Sequence, residues 1–226
     1  MDFEFREATL KDVPAVIKYF EAVKDDFVPS LDKRGKSISK LVLEGFRSER
    51  GFFLAFARKP GGNELAALIG YKLKFSPQNL AMSPLLKKKL GSIEALGPYR
   101  KGAASEHGII SFLSVKKNYR ESFGLGNLRK FERPILNKFR ARGIKHVWIK
   151  TWGTNARALG LYKWVGFNEV TRHVHDRVDP LTGKPVDTVV MARELKPLER
   201  APASRSRLTT PMGVARKRQA RRLVPV

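Results

Sequence analysis

Phe3 and Phe5 alternate with Asp2, Glu4 and Arg6, which predicts a first strand. Thr9 sits three residues before Asp12, a capping-box spacing, and Pro14 is tolerated near a helix start. Val13, Val16, Ile17, Phe20 and Val23 recur at helical spacing, so residues 10–24 read as a helix. A polar link follows from Asp25 to Lys36. Ser37 then opens a second helix with Ile38, Leu41, Val42, Gly45 and Phe46 on one stripe. Residues 51–58 and 64–75 form a hairpin about a Pro-Gly-Gly-Asn turn. Residues 76–107 read as irregular, with a short helix at 83–90 that carries Lys87, Lys88 and Lys89.

The second half repeats the alternation of periods. Residues 108–115 (GIISFLSV) form a strand. After a loop holding Gly124 and Gly126, Leu128, Phe131, Ile135, Leu136 and Phe139 predict a helix to about Arg142. Pro134 should kink it and Gly143 should end it. Residues 146–152 form a strand, 155–165 a short helix, and 167–177 with 186–195 a last strand pair around residues 179–183. The order β-α-α-β-β-β-α-β-α-β-β implies an α/β sandwich on a mixed sheet.

Composition narrows the function classes. The 226 residues include 14 Phe and no Cys, which excludes disulfides, thiolate metal sites and a cysteine nucleophile. Lys and Arg number 45 against 21 Asp and Glu, a net charge of +24 that points to polyanionic partners. Residues 196–226 hold nine basic residues and one acid and lack an apolar period, so a basic, disordered tail is expected behind a domain of residues 1–195. The sequence predicts no membrane span and no secretory leader, and the expected compartment is the cytoplasm.

Two segments carry chemistry. Residues 115–126 run Val115-Lys116-Lys117-Asn118-Tyr119-Arg120-Glu121-Ser122-Phe123-Gly124-Leu125-Gly126, from strand end to helix start. Free backbone N–H groups and a helix dipole there suit an anion, and Gly124 and Gly126 let it approach the backbone. The second segment, Asn155 to Phe167, reads N-A-R-A-L-G-L-Y-K-W-V-G-F; Asn155 can cap its helix and Gly166 ends it.

In this order, with a strand between them, the two segments resemble the GNAT acyl-CoA N-acyltransferase superfamily. The second matches that family's N-x-x-A-x-x-L-Y-x-x-x-G-F signature throughout. The first resembles the pyrophosphate loop, [Q/R]-x-x-G-x-[G/A], with one departure. Glu121 holds the Gln/Arg position and Arg120 lies one residue earlier, so either the loop is longer by one or its first anchor is lost. The resemblance implies a mostly antiparallel central sheet flanked by helices, with a V-shaped splay between the fourth and fifth strands. It implies acetyl-CoA as acyl donor. The Val115 backbone would contact pantetheine and the N–H groups of 120–126 (Arg120, Glu121, Ser122, Phe123, Gly124, Leu125, Gly126) the pyrophosphate. Lys116, Lys117 or Lys163 would meet the 3′-phosphate. Asn155 would hold the pantetheine side, and Tyr162 would protonate the departing thiolate.

The resemblance leaves the general base open among Glu106, His107, Asp25, Asp26, Asp32 and a relayed water. His173, His175 and Asp176 form an H-x-H-D run, but two ligands on one strand do not make a metal site, and no metal is expected. Trp148 and Trp152 share a strand face and could wall an acceptor pocket or simply pack. Two function classes therefore stand: an N-acetyltransferase acting on a primary amine, and a basic RNA- or ribosome-associated protein on the same fold.

Overall fold

A computed structural model describes residues 1–32, 37–47, 49–76, 104–178 and 183–197. The elements are β1 (Phe3–Glu7), α1 (Val13–Asp32), α2 (Ile38–Gly45), β2 (Arg50–Ala57), β3 (Glu64–Lys72), β4 (His107–Val115), α3 (Arg120–Ala141), β5 (His146–Trp152), α4 (Ala156–Trp164), β6 (Asn168–Val178) and β7 (Pro185–Glu194). Their order is the one the periodicity predicts. The seven strands form one sheet, β1-β2-β3-β4-β5-β7-β6, antiparallel except for the β4–β5 pair.

Each strand's alternation sorts its residues between two helical layers. Phe3, Phe53, Ile69, Ile110, Val147, Ile149 and Met191 bury one face under Phe123, Leu128, Phe131, Ile135 and Phe139 of α3 and Tyr162 of α4. Phe52, Leu54, Leu65 and Leu68 bury the other under Val16, Tyr19, Phe20 and Val23 of α1 and Val42 of α2. Between α1, α2 and the sheet lies a small apolar cavity of about 20 Å³ lined by Phe20, Ile38, Leu41, Val42, Phe52 and Phe112.

Caps fix the helix starts. The Thr9 N–H donates to Asp12 Oδ2 at 2.8 Å, and Arg6 clamps the same carboxylate at 2.6 and 2.8 Å, which holds its pKa well below the usual range. Ser37 Oγ accepts from Lys40 N at 3.3 Å.

Two expectations are corrected. α1 does not stop at residue 24; it continues through Asp25 and Asp26 to Asp32, so those residues are helical rather than a link. Phe27 and Leu31 prolong the spacing set by Phe20 and Val23, and this periodicity overrides the acidic pair. In α3 the break in helical dihedrals falls at Gly124 (φ 52°, ψ 172°) rather than at Pro134. The short helix expected at 83–90 and the tail from 198 onward lie outside the described residues, as does most of the 179–183 turn.

The parallel contact positions the site. Among the described residues only three pairs join β4 to β5: His107–His146, Gly108–Val147 and Ile109–Trp148. Beyond them the strands separate, which is the V-shaped splay that the resemblance implies. A bulge sits at the separation. Ile110 faces Tyr71 and Phe112 faces Gly70, leaving Ser111 with no opposite residue on β3. An extra residue bends its strand, so β4 turns away from β5 here. Gly70 makes room for the turn, since a Cβ there would stand 2.8 Å from the Phe112 ring. From α3, Glu132 accepts from Arg193 of β7 at 3.1 Å, and Arg140 Nε donates to the Lys196 carbonyl at 3.0 Å. These contacts tie the two halves of the sheet together from one side.

At the closed end His107 is fully buried, with Nδ1 accepting from Trp148 Nε1 at 3.2 Å and its ring stacked 5.1 Å from His146. His107 Nε2 is sealed without a hydrogen-bond partner. Burial first, then the neighbouring His146, pushes the His107 pKa below 6.5, with Glu106 opposing; burial also lowers His146, with Glu194 and Glu106 opposing and Lys145 assisting. A depressed imidazole pKa contributes stability in full above the unfolded value. That stability is lost as pH falls through the folded value. The melting temperature is therefore expected to fall from about pH 6.5 downward, less steeply in His107→Gln. Parallel pH profiles for the two proteins in calorimetry would remove His107 from this role.

Candidate active site

The wedge between β4 and β5 offers backbone. Lys116 N donates to Ala66 O at 2.9 Å, so Lys116 and Ala66 form a hydrogen-bonded pair. In an antiparallel ladder such pairs alternate with pairs whose amides point outward. With Val115 opposite Ala67 and Leu113 opposite Ile69, the amides of Leu113 and Val115 face away from β3, toward the wedge. Arg120 Nε donates to the Val115 carbonyl at 3.0 Å, which leaves the Val115 N–H as the wedge-facing group. Arg120 thus holds the strand end through Nε, and Glu121 at the anchor position is exposed.

From Val115, at the open end of the wedge, the chain reaches the break in α3 nine residues later. Gly124 is held at positive φ with nothing within 4 Å of a hypothetical Cβ, and Gly126 is equally open. That backbone region is close to glycine-only, so the helix restarts at Leu125 with bare N–H groups toward solvent. The flanks of the break are rigid. Phe123 meets Phe3 edge-on at 5.1 Å and Phe131 at 5.6 Å; Phe131 also packs on Phe5 and Phe53. The Phe123 side chain is core, and only its backbone is available to a ligand. Ser122 Oγ donates to the Tyr119 carbonyl at 3.2 Å, and Leu125 is half exposed.

Lys116 is engaged with its own fold. Its ammonium meets Glu64 Oε1 at 3.0 Å and lies 5.7 Å from the Tyr19 ring centroid. Glu64 also accepts from Lys59 at 2.7 Å and from the Tyr119 hydroxyl at 2.5 Å. The bonds from Lys59, Tyr119 and Lys116 hold its pKa at about 2, against a smaller burial effect. This carboxylate on β3 pins the turn that leads into the break. Lys117 and Lys163 are exposed and make no ion pair among the described residues.

α4 completes the site. Asn155 Oδ1 accepts from Ala158 N at 3.0 Å, so its side chain caps the helix. Tyr162 is 7% exposed, in the same buried cluster as Ile110, Val147 and Ile149, and its hydroxyl makes no hydrogen bond among the described residues. Burial pushes the phenol well above its ordinary value of 10, so the group stays protonated at every working pH. It is a hydrogen-bond donor in the buried cluster that includes Ile110 of β4 and Val147 and Ile149 of β5.

The candidate bases do not gather here. Glu106 is paired with Lys145, and His107 is sealed, both at the closed end of the wedge. The side chains of Asp25, Asp26, Asp32, His175 and Asp176 lie outside the described residues. His173 is buried. Trp148 is core, whereas Trp152 is partly exposed at the open end. Among the described residues no three metal-ligating side chains converge, and no helix is long and apolar enough to cross a membrane. Ser111, exposed on the bulge, and Glu64, bonded to Lys116 and Tyr119, border this region and have no sequence signal, because both depend on cross-strand register.

No protein-family model matches the chain, and no curated protein matches it in sequence. Solved structures match its fold. The ribosomal-protein-S18-alanine N-acetyltransferase from Escherichia coli aligns at 15% identity and TM-score 0.55, over 90% of this chain and 98% of its own. An acetyltransferase of the GNAT family from Streptococcus pneumoniae aligns at 16% and 0.59, over 85% and 99%. Arabidopsis thaliana NAA60 in complex with acetyl-CoA aligns at 16% and 0.58, over 86% and 99%. The splayed parallel pair, the bulge before it and the broken helix after it, set beside these alignments, give the chain the fold of the GNAT acetyltransferases.

Proposed function

We propose that the protein is an N-acetyltransferase that takes the acetyl group from acetyl-CoA to a primary amine by direct attack on the thioester. The observation that carries this reading is the splay of β4 from β5 with outward amides on β4; a glycine-held helix restart and a buried phenol on α4 support it. The Leu113 and Val115 amides suit the amide-bearing pantetheine arm, and the N–H groups after Gly124 suit its pyrophosphate. In the reaction the amine nitrogen bonds the acetyl carbon and the C–S bond breaks. The nitrogen's extra proton leaves to water or to a base, and the thiolate gains a proton. A phenol with a raised pKa is a weak acid, so Tyr162 serves first as a hydrogen bond to the developing thiolate.

Acetyl-CoA at about 100 times its dissociation constant should add ~2.7 kcal/mol of stability, read as a rise in melting temperature. The chain has no cysteine, so thiol released in the presence of an amine reports CoA alone. Absence of both signals at millimolar acetyl-CoA would defeat the reading. Glu121 at the anchor position favours a second reading, a basic RNA- or ribosome-associated protein that keeps the wedge with little catalysis.

A further inference from the structure

We propose that the outer face of α3 and α4 is a docking surface for single-stranded nucleic acid. The inference rests on surface charge and does not depend on acetyl transfer. Arg129, Lys130 and Arg133 stand exposed on one side of α3, and Arg157 and Lys163 are exposed on α4. None of the five makes an ion pair among the described residues. Lys59, Lys116, Lys138, Lys145, Arg172 and Arg193, elsewhere on the fold, each meet a carboxylate; Lys11, Lys40 and Lys117 do not, but no exposed tryptophan accompanies them among the described residues. From Leu125 to the end of α3 the sole acid is Glu132, which is buried against Arg193, and α4 has no acid at all. The face therefore carries uncompensated positive charge, the complement of a phosphate backbone.

An aromatic group sits within it. Trp164, at the end of α4, is 41% exposed, and the Arg129 guanidinium lies 4.4 Å from its ring centroid. Leu125 adds apolar surface on α3, 50% exposed. An exposed indole beside a guanidinium is a surface on which a base can stack, and stacking requires an unpaired base. A single strand offers both things this face takes, phosphates for the cations and an unpaired base for the indole. That combination selects single-stranded nucleic acid.

The test uses the full chain, its basic tail included, and fluorescence anisotropy with a labelled oligouridine of about 15 nucleotides over a salt series. The double variant K130E/R133E should weaken binding about tenfold or more and reduce the salt slope by about 1.4, roughly 0.7 per lost phosphate contact on a single strand. W164A should weaken binding about tenfold and leave the salt slope unchanged. K40E, a charge reversal on α2, should do neither to a comparable extent. Melting curves verify that each variant is folded, and W164L replaces W164A where it is not. The proposal is overturned if K130E/R133E weakens binding no more than K40E, which would leave the tail or overall charge as the determinant. It is also overturned if a duplex of equal length binds as well and ignores W164A. Displacement of the oligouridine by saturating acetyl-CoA would assign the face to the donor's own nucleotide and overturn it too.

Discussion

Tyr162→Phe is expected to lower the turnover number by about 100-fold or more while leaving acetyl-CoA affinity within about twofold. The substitution removes one oxygen and preserves the ring that packs against Phe167 and the buried cluster of Ile110, Val147 and Ile149. Because no hydrogen bond holds that hydroxyl among the described residues, its loss leaves no partner unsatisfied and the fold should be unaffected. The effect should then appear in kcat and in kcat/KM equally, the mark of an interaction made only as the C–S bond breaks. Turnover should also show no fall on the alkaline side attributable to this phenol, since burial keeps it protonated. Wild-type turnover in the phenylalanine variant, with an amine for which chemistry limits the rate, would take Tyr162 out of the reaction.

The second large effect concerns the wall behind the helix break. Phe131 is fully buried and touches rings from β1, β2 and the first turn of α3. Phe131→Ala is expected to cost about 3–5 kcal/mol in denaturant unfolding, through lost burial and the cavity left behind. Any folded population should bind acetyl-CoA more weakly, because Phe123 loses one of the rings that hold it beside Gly124. Substitution of exposed Leu125 by alanine is the control and should change stability by under about 0.5 kcal/mol. A loss for Phe131→Ala as small as that of the control would mean that the aromatic packing does not support the break.

The elements were legible in the chain because their signals are local. Asn155 to Phe167 carries its cap, its apolar stripe and its stop within one helix length, and it folds as read. The alternation in β1 and the continuous apolar runs of β2 and β4 likewise announced the sheet. What escaped depends on partners far away in sequence. The bulge at Ser111 exists only relative to β3. Lys116 looked available to a phosphate until Glu64, 52 residues earlier, was found against it. The end of α1 was misplaced because two consecutive acids outweighed a period that in fact continued. The bond from Arg120 back to the Val115 carbonyl likewise has no signal in the loop sequence.

The inner edges of β4 and β5 have a consequence for the molecule outside any reaction. Bare strand edges are templates on which other chains add, and they invite aggregation. Here both edges face each other across a cleft that is closed at one end by the three paired residues. An intruding strand would have to thread between two helical layers to reach either one. The chain thus keeps open backbone ready for a slender ligand while denying it to other copies of itself, and the opening needs no ladder to break when the ligand arrives.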